Sequence, residues 1–225
     1  MKSTPAVEDY LKSIYKLQQT AETVTTTDIA KGMKVSMAST SNMVKRLTKE
    51  GMVSHKPYKG VQLTPKGEKF ILKLVRRHRL LELFLTKILR MDWDMVDAEA
   101  EQLEHVISDD LEQRIDDLLG HPKTDPHGDP IPKSDGTLNY ALPENLLKLK
   151  PGQAGRISRV SDSNPEILRY LNQLGMIPKA DIEVIRRDPF NGPILIKVGR
   201  KQHHIGLEVA NSVYVEEIKD KVSVK

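Results

Sequence analysis

Between Thr25 and Thr64 start and stop signals follow one another so closely that only short elements joined by tight turns fit. Thr25-Thr26-Thr27-Asp28 is a capping run that opens a short helix through Ile29 and Ala30. Gly32 ends it, and Val35-Ser36 opens a second helix over about Met37 to Lys49, with Met43, Val44 and Leu47 inward. Gly51 stops that helix. Met52-Val53-Ser54-His55-Lys56 and Gly60-Val61-Gln62-Leu63-Thr64 then read as two short strands around a Pro57-Tyr58-Lys59-Gly60 turn. Helix, tight turn, helix and basic hairpin, in that order, make a winged helix-turn-helix.

That order gives a functional reading to side chains that would otherwise pass for a well-capped, serine-rich surface helix. Ser36, Ala38, Ser39, Ser41 and Asn42 form a small, polar helix start that can enter a major groove, with Thr27 on the helix before it. Lys45 and Arg46 would flank it as phosphate contacts, and Lys56, Tyr58 and Lys59 would meet the backbone from the wing. Charge agrees with this. Residues 1–73 carry 13 Lys and Arg against 6 Asp and Glu, whereas residues 74–140 carry 8 against 15. A basic first part suits a polyanion, and an acidic middle suits cations.

The rest of the chain falls into place around this unit. Thr4-Pro5 starts a first helix whose apolar face is Val7, Leu11, Ile14, Tyr15 and Leu17. Thr64-Pro65 caps a long helix to roughly Leu89, an acidic helix covers Met95 to Val106, and Leu111, Ile115, Leu118 and Leu119 mark another. Leu80, Leu81, Leu83, Phe84, Leu85, Ile88 and Leu89 exceed what one helix hides in a small domain, which predicts a helical contact between subunits. The loop from Thr124 to Pro132 holds His127 as a turn residue. Beyond about Leu142 short β-type runs appear at Ala154–Val160, Asp181–Arg187, Ile194–Val198, His204–Leu207 and Ser212–Glu216, with one helix over Pro165–Leu174. His203 and His204 fall at a strand edge and call for no functional role. The expected fold is mainly α with small β parts: a winged helix-turn-helix domain (1–73), a helical domain (74–140) and an SH3-like β-barrel (141–225).

The chemistry concentrates in Asp97 to His105. On a helix Glu101, Glu104 and His105 stand at i, i+3 and i+4 with Asp97 one turn earlier, so carboxylates and an imidazole share a face. Such a face is either solvated or a metal site. On the long helix His78 and Glu82 lie one turn apart and could face one ion. The sequence has no cysteine, which excludes disulfides, thiolate ligands and a cysteine nucleophile. Any metal is held by oxygen and nitrogen.

With these residues in view, the chain resembles the diphtheria toxin repressor and manganese transport regulator family of metal-dependent transcriptional repressors. The carriers are Glu8-Asp9-Tyr10-Leu11, Arg77-His78-Arg79-Leu80-Leu81-Glu82, Glu101-Gln102-Leu103-Glu104-His105 and Pro126-His127-Gly128-Asp129-Pro130-Ile131-Pro132. The resemblance implies a homodimer on a double-stranded DNA operator and a main metal site of Asp9, Glu101, Glu104 and His105. It also implies an adjoining site with His78 and Glu82, where Asp97 stands in for a histidine and Asp162 or Glu166 could complete the shell, giving room for two ions per subunit. Iron-responsive members place cysteine and methionine where this chain has Glu101 and Asp9, so hard ligation points to Mn²⁺, with Fe²⁺ the alternative. Lys12 stands where compact manganese regulators have a further glutamate.

Two other readings compete. A metal hydrolase would need a catalytic base and a substrate pocket, and no serine elbow or phosphate loop is present. A winged-helix regulator indifferent to metal would leave the acidic helix merely solvated. No apolar run approaches the roughly 18 residues of a membrane span and no signal-peptide core opens the chain. A cytoplasmic regulator without a membrane partner or a small organic ligand is the expectation.

Overall fold

The computed structural model describes residues 4–217 other than 20, 22, 57–59, 139 and 142. The chain divides into two compact units. The first is drawn from residues 1–78, 103–108 and 131–139, the second from 79–102, 109–130 and 140 onward.

In the first unit α1 (Pro5–Gln18) starts at Thr4 with proline in its first turn, and buries Val7, Tyr10, Leu11, Ile14 and Tyr15. α2 (Thr26–Gly32) is capped by a reciprocal pair, the Thr25 hydroxyl accepting from Asp28 N and the Asp28 carboxylate accepting from Thr25 N. α3 (Met37–Lys49) opens at Ser36, whose hydroxyl accepts from Ser39 N. The hairpin β1 (Val53–Lys56) and β2 (Gly60–Leu63) pairs Val53 with Leu63 and Lys56 with Gly60. Val24 adds a bridge to Val61. Leu11, Ile14, Ile29, Val44, Leu47, Val61 and Ile71 form one core that locks α1, α2, α3 and the hairpin to the first turns of α4 (Pro65–Lys87). The wing residues Tyr58 and Lys59 lie outside the described residues.

The second unit holds α5 (Val96–Leu103), α6 (Asp109–Leu119) and a six-stranded antiparallel sheet. Its strands are β3 (Glu144–Asn145), β4 (Ala154–Val160), β5 (Asp181–Arg187), β6 (Ile194–Val198), β7 (Lys201–Ile205) and β8 (Val213–Glu217), in spatial order β3-β8-β4-β5-β6-β7. A 3₁₀ turn (Leu146–Lys148), α7 (Pro165–Leu174) and α8 (Leu207–Asn211) connect them. Ile157, Val160, Leu168, Leu171, Ile182, Ile196 and Val215 build the core, which also takes in Trp93.

Three expectations need correcting. The acidic helix is shorter than Met95–Val106: it ends at Leu103, and Glu104 to Val106 form a turn in which Val106 N and Ile107 N both reach the Leu103 carbonyl. The strand expected over His204–Leu207 begins at Lys201, because pairing of Val198 with Lys201 and Lys197 with Gln202 closes a hairpin, and Leu207 starts α8. On α4, Leu80, Leu81, Leu83 and Leu85 are already buried within one chain, while Ile88, Leu89, Met95, Leu111 and Leu118, beyond the end of α4, are among the exposed apolar side chains.

Candidate metal centres

The first cluster lies in the first unit and begins on α1. Glu8, Asp9 and Lys12 sit within one turn of that helix, and residues four apart share a face. The turn after α5 brings Glu104 and His105 against them. His105 Nδ1 is 2.6 Å from Glu8 Oε2, while its Nε2 is 3.1 Å from Asp9 Oδ1 and 3.6 Å from Glu104 Oε1. With the Nδ1 proton donated to Glu8, the Nε2 lone pair faces two carboxylates, which is how an outer carboxylate orients an imidazole toward a cation. Glu104 is fully buried. Its Oε2 is 2.5 Å from His78 Nδ1, and the Lys12 ammonium donates to its two oxygens at 2.9 and 2.7 Å. Burial is the largest influence on the Glu104 carboxyl and raises it, yet the His78 hydrogen bond and the charges of Lys12 and His78 together hold it below the ordinary value. Arg77 fixes the turn by donating to the Glu104 carbonyl at 3.2 Å.

The second cluster lies in the second unit and depends on the loop that the sequence presents as a turn. The Asp125 carboxylate accepts the backbone N–H of His127 at 2.8 Å and of Asp129 at 2.9 Å, curling the loop around one oxygen. Gly128 permits the curl: its φ is +92°, and a Cβ there would stand 2.0 Å from the Ser158 carbonyl. His127 is fully buried, with Nε2 2.7 Å from the Trp93 carbonyl and the two rings tilted at 31°. Since a carbonyl only accepts, Nε2 carries the proton and Nδ1 presents its lone pair. Nδ1 has no hydrogen-bond partner among the described residues and lies 3.6 Å from Glu82 Oε1. Ligand atoms of Glu82, Asp125 and His127 lie within 4.8 Å of one another, and so do those of Glu82, Asp97 and Asp162.

Electrostatics in this cluster run opposite to the first. Burial, followed by the charges of Asp129 and Glu82, pushes the Asp125 carboxyl well above its ordinary value, and Arg79 offsets this only in part. Burial likewise raises Asp129, against the pull of Arg79 and Arg159, whose guanidinium nitrogens lie 3.1 and 3.2 Å from its oxygens. Buried carboxylates in excess of their cations, with an imidazole lone pair among them, are a donor set that a divalent cation would neutralise. Both clusters fit such an ion, and both offer only oxygen and nitrogen.

These placements sort the sequence candidates. Asp9, Glu104 and His105 come together. Glu101, on α5, belongs to the second unit. His78 and Glu82, expected to face one ion, take different partners: His78 meets Lys12 and Glu104, and Glu82 meets Asp125 and His127. Asp97 and Asp162 join Glu82, and Glu166 instead stands in the first turn of α7, its N–H bonded to the Asn164 cap. Sequence reasoning named Glu8, Lys12 and His127 but gave neither them nor Asp125 a place in a site. The usable signal for the last two was an acid and a histidine two apart in a loop too rich in polar groups to be buried without a purpose.

Also in the first unit, Thr27, Ser36, Ala38, Ser39, Asn42, Lys45 and Arg46 are exposed, as is Lys56 at the end of β1, and Ser41 is half-buried. Core packing on Val44 and Leu47 turns the small polar start of α3 outward.

Comparison with known proteins decides the family. An iron dependent repressor N-terminal DNA binding domain matches residues 2–61, its metal binding and dimerisation domain 64–133, and a FeoA domain 144–217. The diphtheria toxin repressor of Corynebacterium efficiens is 34% identical, over 94% of this chain and 95% of its own. The chain belongs to the diphtheria toxin repressor family. As a member it is a metal-dependent DNA-binding repressor, with a helical winged helix-turn-helix and dimerisation part and a C-terminal SH3-like sheet. The iron-dependent repressor IdeR of Mycobacterium leprae is 28% identical over 94% of this chain and 96% of its own. A manganese-dependent transcriptional repressor in complex with manganese superposes with a TM-score of 0.88 at 36% identity, covering 94% of this chain and all of that one. Family membership therefore establishes a metal cofactor, with iron and manganese regulators both among the relatives. Among the described residues no helix is long and apolar enough to cross a membrane.

Proposed function

We propose that this protein is a manganese-sensing repressor that binds a palindromic operator as a homodimer when metal-loaded, in the cytoplasm and without catalytic activity or a small organic ligand. The observation that carries the reading is the donor set. Asp9, Glu104 and His105 would hold one ion; Glu82, Asp97, Asp125, His127 and Asp162 would hold the other. Carboxylates and imidazoles without sulfur suit a hard divalent cation, although intrinsic affinity rises from Mn²⁺ to Fe²⁺ at any such site. A bound cation supplies the positive charge that lets these carboxylates stay close.

The residues then do the work. Glu104 and His105 follow α5, and Asp9 belongs to the helix that packs on α2 and α3, so clamping them together restrains the elements that carry the recognition helix. Ser36, Ala38, Ser39, Ser41 and Asn42 would read base edges from the start of α3, and Thr27, Lys45, Arg46, Lys56, Tyr58 and Lys59 would contact the backbone. The division 1–73, 74–140 and 141–225 into DNA-binding, metal-binding and SH3-like domains is part of this reading. Exposed Ile88, Leu89, Met95, Leu111 and Leu118 give the dimer its apolar surface.

The test is operator affinity titrated with Mn²⁺ and, under anaerobic conditions, with Fe²⁺, then reversed by chelator. Tightening at a lower free concentration of Mn²⁺ than of Fe²⁺ supports the manganese assignment. The reverse order makes the protein an iron sensor, and no response to either ion removes the metal reading.

A further inference from the structure

Glu50 stands where charge alone would not put an acid. It caps the C-terminus of α3, its N–H bonded to the Arg46 carbonyl at 3.0 Å, and the negative end of the helix dipole disfavours a carboxylate there. Its near neighbours in the chain, Lys45, Arg46 and Lys49, are exposed cations suited to a polyanion, which would repel it. Its Oε2 is buried with no hydrogen-bond partner among the described residues, which adds a desolvation cost. The other oxygen, Oε1, accepts from Arg46 Nε at 3.0 Å. Held by Nε, a guanidinium keeps both terminal nitrogens, a planar fork that can take two phosphate oxygens. The start of α4 fixes the backbone beneath this contact: Lys66 Nζ donates to the Glu50 carbonyl at 2.9 Å, and the Thr64 hydroxyl reaches the Gly51 and Met52 carbonyls at 2.7 and 3.2 Å.

We propose that Glu50 is a positioning residue for DNA binding, holding the Arg46 guanidinium by Nε so that its terminal nitrogens are preset for one backbone phosphate. This rests on the reading of Arg46 as a DNA-backbone contact. Two effects oppose each other at Glu50. Its charge repels phosphate, a repulsion weakened by salt, which screens exposed charges beyond about 8 Å under physiological conditions. Against this, an arginine already tethered to a fixed carboxylate has fewer rotamers to give up when DNA arrives. The Nε contact acts at 3.0 Å, well within that screening length, and a two-point phosphate contact is sensitive to orientation. Ordering therefore outweighs repulsion, and deleting this negative charge beside DNA weakens binding instead of tightening it.

The experiment measures, by fluorescence anisotropy, the affinity of the full-length Mn²⁺-loaded protein for a duplex that the wild-type protein selects from random sequence. Arg46→Ala should weaken binding and lower the salt slope by about one. Glu50→Ala should weaken it by about two- to tenfold, the cost of ordering one side chain. Glu50→Gln, whose amide oxygen still accepts from Nε, should bind at least as tightly as wild type, and in the Arg46→Ala background Glu50→Ala should cause no further loss. Glu50→Ala binding at or above wild-type strength overturns the proposal, as does an equal loss with and without Arg46, which would mark a role in the fold of α3. A Glu50→Gln variant as weak as Glu50→Ala overturns it too. If Arg46→Ala leaves affinity and salt slope unchanged, the reading of Arg46 as a backbone contact fails, and the proposal with it.

Discussion

The two clusters solve one electrostatic problem in opposite ways. Around Glu104 the buried negative charge is balanced from within, by Lys12 and His78, and the carboxyl stays below its ordinary value. Around Asp125 the neighbouring guanidinium groups do not suffice, and the carboxyl is driven well above it. In the first cluster the Glu104 carboxylate is paired before any metal arrives. The second is a charge excess held in place by packing, by Gly128 and by the Trp93 carbonyl. A centre of the first kind resists change when metal is withdrawn, while a centre of the second kind depends on protons or cations for its comfort.

The largest break in this comparison should come from Glu104→Gln. It keeps the volume but strands the Lys12 ammonium and removes a ligand, so Mn²⁺-dependent operator binding, read by fluorescence anisotropy, should fall by about 100-fold, in line with the loss of a ligand-shell group. The metal-free chain should also lose about 3–5 kcal/mol in denaturant melts, as when one partner of a buried pair is removed. Wild-type response to Mn²⁺ in this variant would end the assignment of the first centre.

Gly128→Ala should come next. The side chain would meet the Ser158 carbonyl in a left-handed backbone, so a loss on the order of 1–3 kcal/mol is expected, together with loss of one bound ion as Asp125 and His127 move apart. Retention of full metal content would mean that the loop does not build a site.

The pH response separates the two centres directly. In chelator, the Glu104 contribution should be present above the ordinary glutamate value of about 4.3 and disappear as pH falls through its depressed native value. Asp125 has the opposite sign. Its raised native value means that ionisation opposes folding, so its contribution is full below about 3.9, the ordinary aspartate value, and is lost as pH rises through the native value. Hydrogen exchange from about pH 4 to 7 without metal should show the Asp125 loop gaining protection as pH is lowered, while the Glu104 turn gains none. Parallel trends in the two would contradict the contrast between the centres.

The smallest effect is expected at Lys56→Ala. Removing a single phosphate-binding side chain should weaken binding evenly across DNA sequences and reduce the salt slope by about one. A change in sequence preference would instead place Lys56 at a base edge.

The order of elements was legible in the chain because its signals are local. Ser36 and Thr25 cap their helices, Gly51 stops α3, and the apolar residues read on α1 and α3 fall in the buried core or pack against it. Asp9, Glu104 and His105 were legible as ligand types, and the resemblance supplied their grouping. What stayed hidden were partnerships across long separations. Lys12 reads only as a departure from the compact manganese regulators until α1 meets a turn 92 residues later. His127 reads as a loop residue until α4 and the Trp93 carbonyl close around it.

By itself the sequence determined the helices, the hairpin, the switch to β structure, the absence of sulfur ligands and the residue types from which a cation site could be made. Only the tertiary structure decided which carboxylates share a cluster, that Lys12 balances one of them, and that Asp125 and His127 of a polar loop are buried. The physical reason is range. Caps, turns and periodicity are settled within a few residues, whereas a charge acquires its meaning from whatever the fold brings within a few ångströms of it.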